Sequence, residues 1–260
     1  MPLECGVFEI DEIELELAPD RVTVKGIAAA ITKELRTRSS KAFEKQSLRQ
    51  IAQYFATKHG LTLTGDETDL QNIEIDRKTQ ERQTDLSFLA QLGKEYDIIF
   101  SIRGNRLIFI DRETLDAQPS VLTFQRTDLS KGRFMDKTSQ TYGSASVSSR
   151  NMKTNSVKSF TYTPAVVEGQ KGTIEMWHGE TTATTEAQAQ AQAKAGLINN
   201  NKDKVTGSIT VAGNVKLVAG VNIELADIGR FSGKWHVMSS AHTINNSDGY
   251  VTTATLRKIG

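Results

Sequence analysis

Between Ser47 and Arg112 the chain carries two capped helix starts and one tight hairpin, while on both sides it reads almost wholly as short strands. Ser47 and Gln50 have capping-box spacing, in which each side chain satisfies a backbone N–H left orphaned at a helix start. Leu48, Ile51, Ala52, Phe55 and Ala56 then share one helical face, and Gly60 supplies a left-handed stop. A short strand, "LTLTG", follows. The polar stretch 65 to 80 reads as a loop with one extended piece around Ile73 and Ile75. Thr84 or Asp85 caps a second helix whose Phe88, Leu89, Leu92 and Tyr96 turn inward. "DIIFSI" and "RLIFI" are then two strands separated by Arg103-Gly104-Asn105, where Gly and Asn suit the positive φ of a tight turn. Residues 37–115 are therefore expected to form a small α+β module: helix, strand, helix, hairpin.

The flanks are different. "CGVFEIDEIELEL" alternates apolar and acidic residues, with strict period two from Glu12 to Leu17, so it reads as a half-buried strand. Ala18-Pro19-Asp20 is a turn, and "RVTVKGIAA" is a second strand. After Pro119 the chain becomes Ser/Thr-rich and strand-like in "SVLTFQR", "RFMDKTSQTYGSASVSS" and "VKSFTYTP", with "SRNMKTNS" as a turn between two long strands. Within "TTATTEAQAQAQAKAGLINNN" two signals conflict. Ala and Gln alternate as in a strand, but both favour helix, and Ala is poor in sheets. Thr185 and Gln188 again have capping-box spacing, so a helix is expected over about 184–200. The remainder returns to strands, and the turn formers 245–249 should join the last two as an antiparallel hairpin.

Composition narrows the function. The formal net charge is +1, from 32 basic and 31 acidic residues. That balance argues against general polyanion binding, and no sequence-specific nucleic-acid binding is expected. A single cysteine, Cys5, excludes an intrachain disulfide and a cysteine-based metal site. No apolar run approaches a membrane span, and no export signal is evident, so assembly in a cytoplasm without membrane insertion is expected.

Chemistry-bearing residues do not converge in the sequence. Of the histidines His59, His178, His236 and His242, the last two are six apart on one expected strand. Their side chains would share a face at roughly 20 Å separation, whereas metal ligands must converge to about 2 Å from the ion. No metal or cofactor is expected. Glu12, Glu14 and Glu16 share one strand face opposite Ile13, Leu15 and Leu17, which describes a solvated or partner-facing surface better than an acid–base pair. Trp177 in "MWHGE" and Trp235 in "KWHV" could stack on a sugar or base, but strand tryptophans usually serve cores or interfaces. These five residues, Glu12, Glu14, Glu16, Trp177 and Trp235, are the candidate interface residues, and no catalytic residue is expected.

The order of the segments is more telling than any one of them. "GVFEIDEIELELAPDRVTVKGIAA", "RTRSSKAFEKQSLRQIAQYFATKHGL" and "QERQTDLSFLAQLGKEYDIIFSIRGNRLIFIDR" together resemble the late control protein D family. "GRFSGKWHVMSSAHTINNSDGYVTTATLRK" resembles that family's last strands. These are baseplate hub proteins of contractile-tailed phages, related to the amino-terminal part of type VI secretion spike proteins. The resemblance implies an α+β, mainly β fold with two β-barrel-like tube domains and the small module between them. It assigns 1–36 to a remnant of the first barrel, 37–115 to the module and 116–260 to the second barrel with its inserted helix. Family members carry a further stretch before the segment matching "GVFEIDEI", so the first barrel is expected to be incomplete.

The implied function is structural: a hub of a contractile phage, prophage or phage-like injection machine that adapts the tail tube to a trimeric spike. Its implied partners are two further copies of itself, the spike protein, and tube or tape-measure proteins. Its implied location is the virion tail, after assembly in the bacterial host cytoplasm. The alternatives are a tail-tip peptidoglycan hydrolase and a carbohydrate-binding β module.

Overall fold

Alternation at the amino-terminal end becomes a two-stranded antiparallel ribbon, β1 (Phe8–Glu16) and β2 (Arg21–Ala28). The sequence breaks its own alternation at the adjacent acidic pair Asp11-Glu12. A bulge between Ile10 and Glu12 absorbs the extra residue. Phe8, Ile10, Ile13 and Leu15 consequently lie on the face of Val22 and Val24, while Glu12, Glu14 and Glu16 lie on the opposite face across from Lys25, Thr23 and Arg21. The computed structural model describes residues 7–28, 35–65, 73–137, 142–151, 156–163, 176–180, 183, 185–201 and 204–259. Cys5 lies outside them, as does the middle of the turn expected over 149–156, whose ends belong to strands.

The chain divides into two compact units. One holds the described residues up to Asp111 together with Ala183–Gln192; the other holds Arg112 onward apart from that insert. In the first, β3 (Arg38–Ser47), α1 (Leu48–Lys58), β4 (Thr62–Thr64), β5 (Glu74–Thr84), α2 (Asp85–Tyr96), β6 (Ile98–Arg103) and β7 (Arg106–Asp111) follow one another. The Ser47–Gln50 capping box is present in both directions, at 3.2 Å and 2.8 Å. Thr84 caps α2 through the amide of Ser87 at 3.1 Å. The two helices bury Ile51, Phe55, Phe88 and Leu92 against Phe43 on β3 and Leu107 and Phe109 on β7. Gly104, at φ 54°, makes the turn between β6 and β7.

Within the stretch expected to be a loop, the extended piece anticipated around Ile73 and Ile75 is the start of a long strand from Glu74, and 66–72 lie outside the described residues. β5 runs the full length of β3, antiparallel to it. Both strands are polar, and on β5 only Ile75 and Gln80 are buried, so an apolar alternation never showed. One further irregularity hides it: Ser40 faces two residues, Glu81 and Arg82, at a bulge where Arg82 takes φ 47°.

In the second unit, α3 (Arg112–Ala117) leads into β8 (Ser120–Phe124), β9 (Leu129–Asp136), β10 (Ser144–Asn151), β11 (Ser156–Tyr162) and β12 (Met176–Glu180). Helix α4 (Glu186–Asn201) follows, then β13 (Val205–Ala212), β14 (Asn222–Leu225), β15 (Gly233–Asn245) and β16 (Gly249–Lys258). The segment expected as one strand from Arg133 to Ser149 is split between β9 and β10, which belong to different sheets. The main sheet has the order β8-β14-β15-β16-β13-β9. Laid flat, its outer strands would stand roughly 24 Å apart. Yet Phe124 and Leu129 are joined by a link that reaches at most ~17 Å when extended, and part of it is a 3-10 turn. The sheet must therefore roll, and its inner face encloses Ile209, Val211, Ile223, Trp235, Val237, Ala254 and Leu256. The gap beside β9 is filled by side chains from the turn 229–231: Phe231 stacks on Phe134 at 5.4 Å, and Arg230 binds Asp136 at 2.7 Å.

Helix α4 is a helix despite its alternation. Its opening turns serve the first unit, where Gln188 donates to the Glu74 carbonyl and Gln192 to the Tyr96 hydroxyl. Its later turns serve the second, with Ala193, Ala195 and Leu197 buried.

Candidate assembly surfaces

No group of three or more His, Cys, Asp or Glu side chains is placed to hold a metal among the described residues. His236 and His242 do not even share a face, contrary to the sequence expectation. A bulge between Val237 and Ser239 shifts the parity of β15, so His236 pairs with Arg257 on the outer face and His242 with Thr252 on the inner. His236 is structural. The Asn222 amide nitrogen donates to the carbonyls of Leu115 and Gln118, so its oxygen is left to accept from His236 Nδ1–H at 2.9 Å. Beside it Arg257 clasps the Asp116 carboxylate with its two terminal guanidinium nitrogens, at 2.6 and 3.1 Å. Together these side chains hold the end of α3 on the outer face of the sheet.

Among the described residues the most densely partnered interior charge is Asp85, whose side chain is fully buried. It accepts from Lys58 Nζ at 2.6 Å, Gln80 Nε2 at 2.8 Å and Ser39 Oγ at 3.1 Å, and lies 2.7 Å from His59 Nε2. Burial pushes its pKa up, but the bonds from Lys58, Gln80 and His59 together outweigh burial and hold it below the ordinary carboxylate range. The ligands come from β3, β5 and the last turn of α1, so the cluster ties these elements to the start of α2 at one point. It offers no free proton acceptor. A nearby groove of about 490 Å³ is lined by Glu44, Lys45, Gln46, Gln50, Gln53, Tyr54 and Thr57. Its polar groups are largely committed to each other: Gln50 to the cap, Gln53 to Thr57, and the Tyr54 ring to Lys41 Nζ, 4.0 Å from its centroid.

Two exposed features stand out among the described residues, the ribbon and the β9 edge of the main sheet. Glu12, Glu14 and Glu16 are half-exposed; Lys25 reaches Glu12 at 3.0 Å and Arg21 reaches Glu16 at 3.5 Å. On the other face Phe8, Ile10, Ile13, Leu15, Val22 and Val24 are each more than half exposed. A two-stranded ribbon is at best marginally stable alone, and an exposed apolar strip of this kind marks a surface that receives a neighbour. On the second unit, Lys131 and Arg133 project from the outer face of β9, exposed and without an ion-pair partner among the described residues. Sequence reasoning passed over this pair, although the i, i+2 spacing of two cations in a strand was legible.

The two tryptophans have separate fates. Trp235 is completely buried and donates its indole N–H to the Phe231 carbonyl at 2.9 Å, so it anchors the rolled sheet and presents no surface. Trp177 is half-buried against the chain's own helix. Its ring lies over Gly179 and against Gly196 of α4, where a Cβ at either glycine would come within 2.2 Å of it.

Comparison with known proteins follows the same lines. A family model described as phage tail baseplate hub (GPD) matches residues 7–248. A probable baseplate hub protein of Escherichia phage 186 is 25% identical over 108 residues, which make up 42% of this chain and 28% of that protein. The tail protein from Neisseria meningitidis MC58 superimposes with a TM-score of 0.76 at 14% identity, covering 98% of this chain and 80% of that one. A component of the E. coli type VI secretion system gives a TM-score of 0.59 at 11% identity, covering 98% of this chain and 60% of that one. At such identities the structural likeness establishes the fold.

Proposed function

Because this chain belongs to the phage tail baseplate hub family, we propose that it is the hub through which a tail tube is joined to a trimeric spike, acting as a homotrimer. A structural tail component is what the family is; the adapter role, the stoichiometry and the choice of a contractile tail or related injection machine are our reading. The observation that carries it is the family match over residues 7–248, beside which the ribbon keeps an exposed apolar face and, among the described residues, an edge with no partner strand. On this reading the ribbon belongs to a first barrel-like domain, the module from 37 to 115 is an outer spacer, and the sheet from 116 onward is the second barrel.

The role is structural and not enzymatic. The fully buried Asp85 is saturated with donors, and Glu12, Glu14 and Glu16 lie in an exposed row suited to contact. Peptidoglycan zymography separates this from a tail-tip hydrolase: clearing that disappears in a Glu14→Gln variant would overthrow it. The adapter role is tested by co-expression with the cognate spike protein and light scattering of the product. A complex holding equal numbers of the two chains, in threes, is expected; a spike that purifies free of this chain is the contrary result.

A further inference from the structure

The outward side of α1 carries no charge along one stripe. Gln50, Gln53, Tyr54 and Thr57 stand at i, i+3, i+4 and i+7, beside the stripe on which Ile51 and Phe55 are buried. These four side chains form one wall of the groove of about 490 Å³, and Glu44, Lys45 and Gln46 at the end of β3 form the other. One carboxylate and one ammonium leave the groove without net charge.

The bonds inside the groove orient its amides without exhausting them. Gln50 spends only its oxygen, on the Ser47 N–H at 2.8 Å, and keeps both amide hydrogens. Gln53 spends one amide hydrogen on Thr57 Oγ1 at 3.2 Å and keeps its oxygen, while the Thr57 hydroxyl keeps its own hydrogen. The Gln46 amide and the Tyr54 hydroxyl have no partner among the described residues. The Tyr54 ring itself is fixed, met edge-on by Phe43 at 5.5 Å and Phe55 at 5.2 Å.

The backbone is unusual at the same place. Lys45 takes φ 47°, a region that few residues other than glycine enter. Arg82 shares that conformation at a bulge and Asp97 at a helix end, but Lys45 lies inside a strand. Across it β3 and β5 keep one register, with Glu44 opposite Arg77 and Gln46 opposite Ile75, so no bulge accounts for it. Strain of this kind collects at ligand sites.

We propose that this groove binds an uncharged oligosaccharide. A sugar presents hydroxyls that donate and accept at once, around a ring whose C–H faces are apolar. Oriented amides with unspent donors and acceptors answer the first property, and a fixed phenol ring answers the second. A polyanion would call for a cationic site, and a peptide draws its specificity from side-chain pockets, which a lining without one aliphatic residue does not supply. The volume falls within the roughly 300–1,000 Å³ of small-molecule sites and suits a short oligosaccharide. The site goes beyond the hub role and does not depend on it.

Two-dimensional amide NMR of the isotope-labelled full chain tests it, with maltotriose, cellotriose and chitotriose added up to tens of millimolar. At least one of these sugars should give saturable shifts confined to amides of residues 44–57, with a dissociation constant in the millimolar range. Gln46→Ala/Gln53→Ala should weaken that binding at least ~10-fold, and Tyr54→Phe, which keeps the ring, should weaken it less. Gln46 is half-buried and Gln53 exposed, so the signals of the other strands should show the variants folded. A heparin disaccharide and trialanine serve as the anionic and peptide probes. Shifts with none of the three sugars, shifts centred elsewhere, binding untouched in Gln46→Ala/Gln53→Ala, or a stronger response to either control would overturn the assignment.

Discussion

Replacing Asp85 with alanine should loosen the α+β module selectively, and the size of the effect can be worked from its partners. The substitution leaves one N–H of Gln80 Nε2 unpaired, the other staying on the Gln83 carbonyl at 3.0 Å, and strands the His59 ring, whose side chain is 3% exposed. Each donor left unpaired in the interior costs about 1–3 kcal/mol. Lys58 is 35% exposed and can turn to water, so its share of the loss is small. The first turn of α2 also loses its acidic residue, worth about 0.3–1 kcal/mol. Taken at the low end of these ranges the sum is about 3 kcal/mol, the bottom of the about 3–5 typical of a broken buried pair.

Native-state hydrogen exchange is the suitable assay, since a chain of two units need not unfold in one step. Amides of α2 and β5 should exchange roughly 100-fold faster in the variant, with the amides of β13 to β16 unchanged. The folded pKa of Asp85 is depressed, so its contribution is complete above the unfolded value of ~3.9 and is lost as pH falls through the lower folded value. Protection in α2 should therefore decline in acid in the wild type, and less so in the variant. Exchange within twofold of wild type at α2 would refute the view that this carboxylate ties the module together.

Other perturbations follow from single contacts. Gly196→Ala places a methyl group where the Trp177 ring lies, so the ring must move at a cost of about 1–3 kcal/mol. Trp177 fluorescence should shift to the red while that of buried Trp235 stays; an unchanged spectrum contradicts the packing. Asp116→Ala leaves Arg257, 7% exposed, without its carboxylate, and should cost the second unit about 3 kcal/mol, read as a lower melting temperature by tryptophan emission. Asp116→Asn should recover part of that loss because one hydrogen bond to Arg257 survives.

The parts of the fold written locally were legible. Ser47 with Gln50, Thr84 with Ser87, and the Arg103-Gly104-Asn105 turn each depend on residues within a few positions, and helix propensity overrode alternation in α4 as expected. What was missed was long-range or polar. β3 and β5 stabilise each other by pairing rather than by burying an alternating face, so neither announced itself, and the Met238 bulge reversed the inferred sides of His236 and His242. The Asp85 cluster joins residues 5 to 46 positions apart, and no local pattern marks it. Of the candidate surface, the acidic row was read correctly as exposed, but its apolar back was expected to be half-buried and is open. Burial of Trp235 was a matter of tertiary packing, invisible in "KWHV".

Locating the chain in assembled particles tests the hub assignment most directly. Cryo-electron microscopy of purified tails, with an antibody against this protein as a marker, should place it at the distal end only, in three copies around the tail axis between tube and spike. Label distributed along the tube, or particles with complete tail tips that lack the chain, would contradict the account.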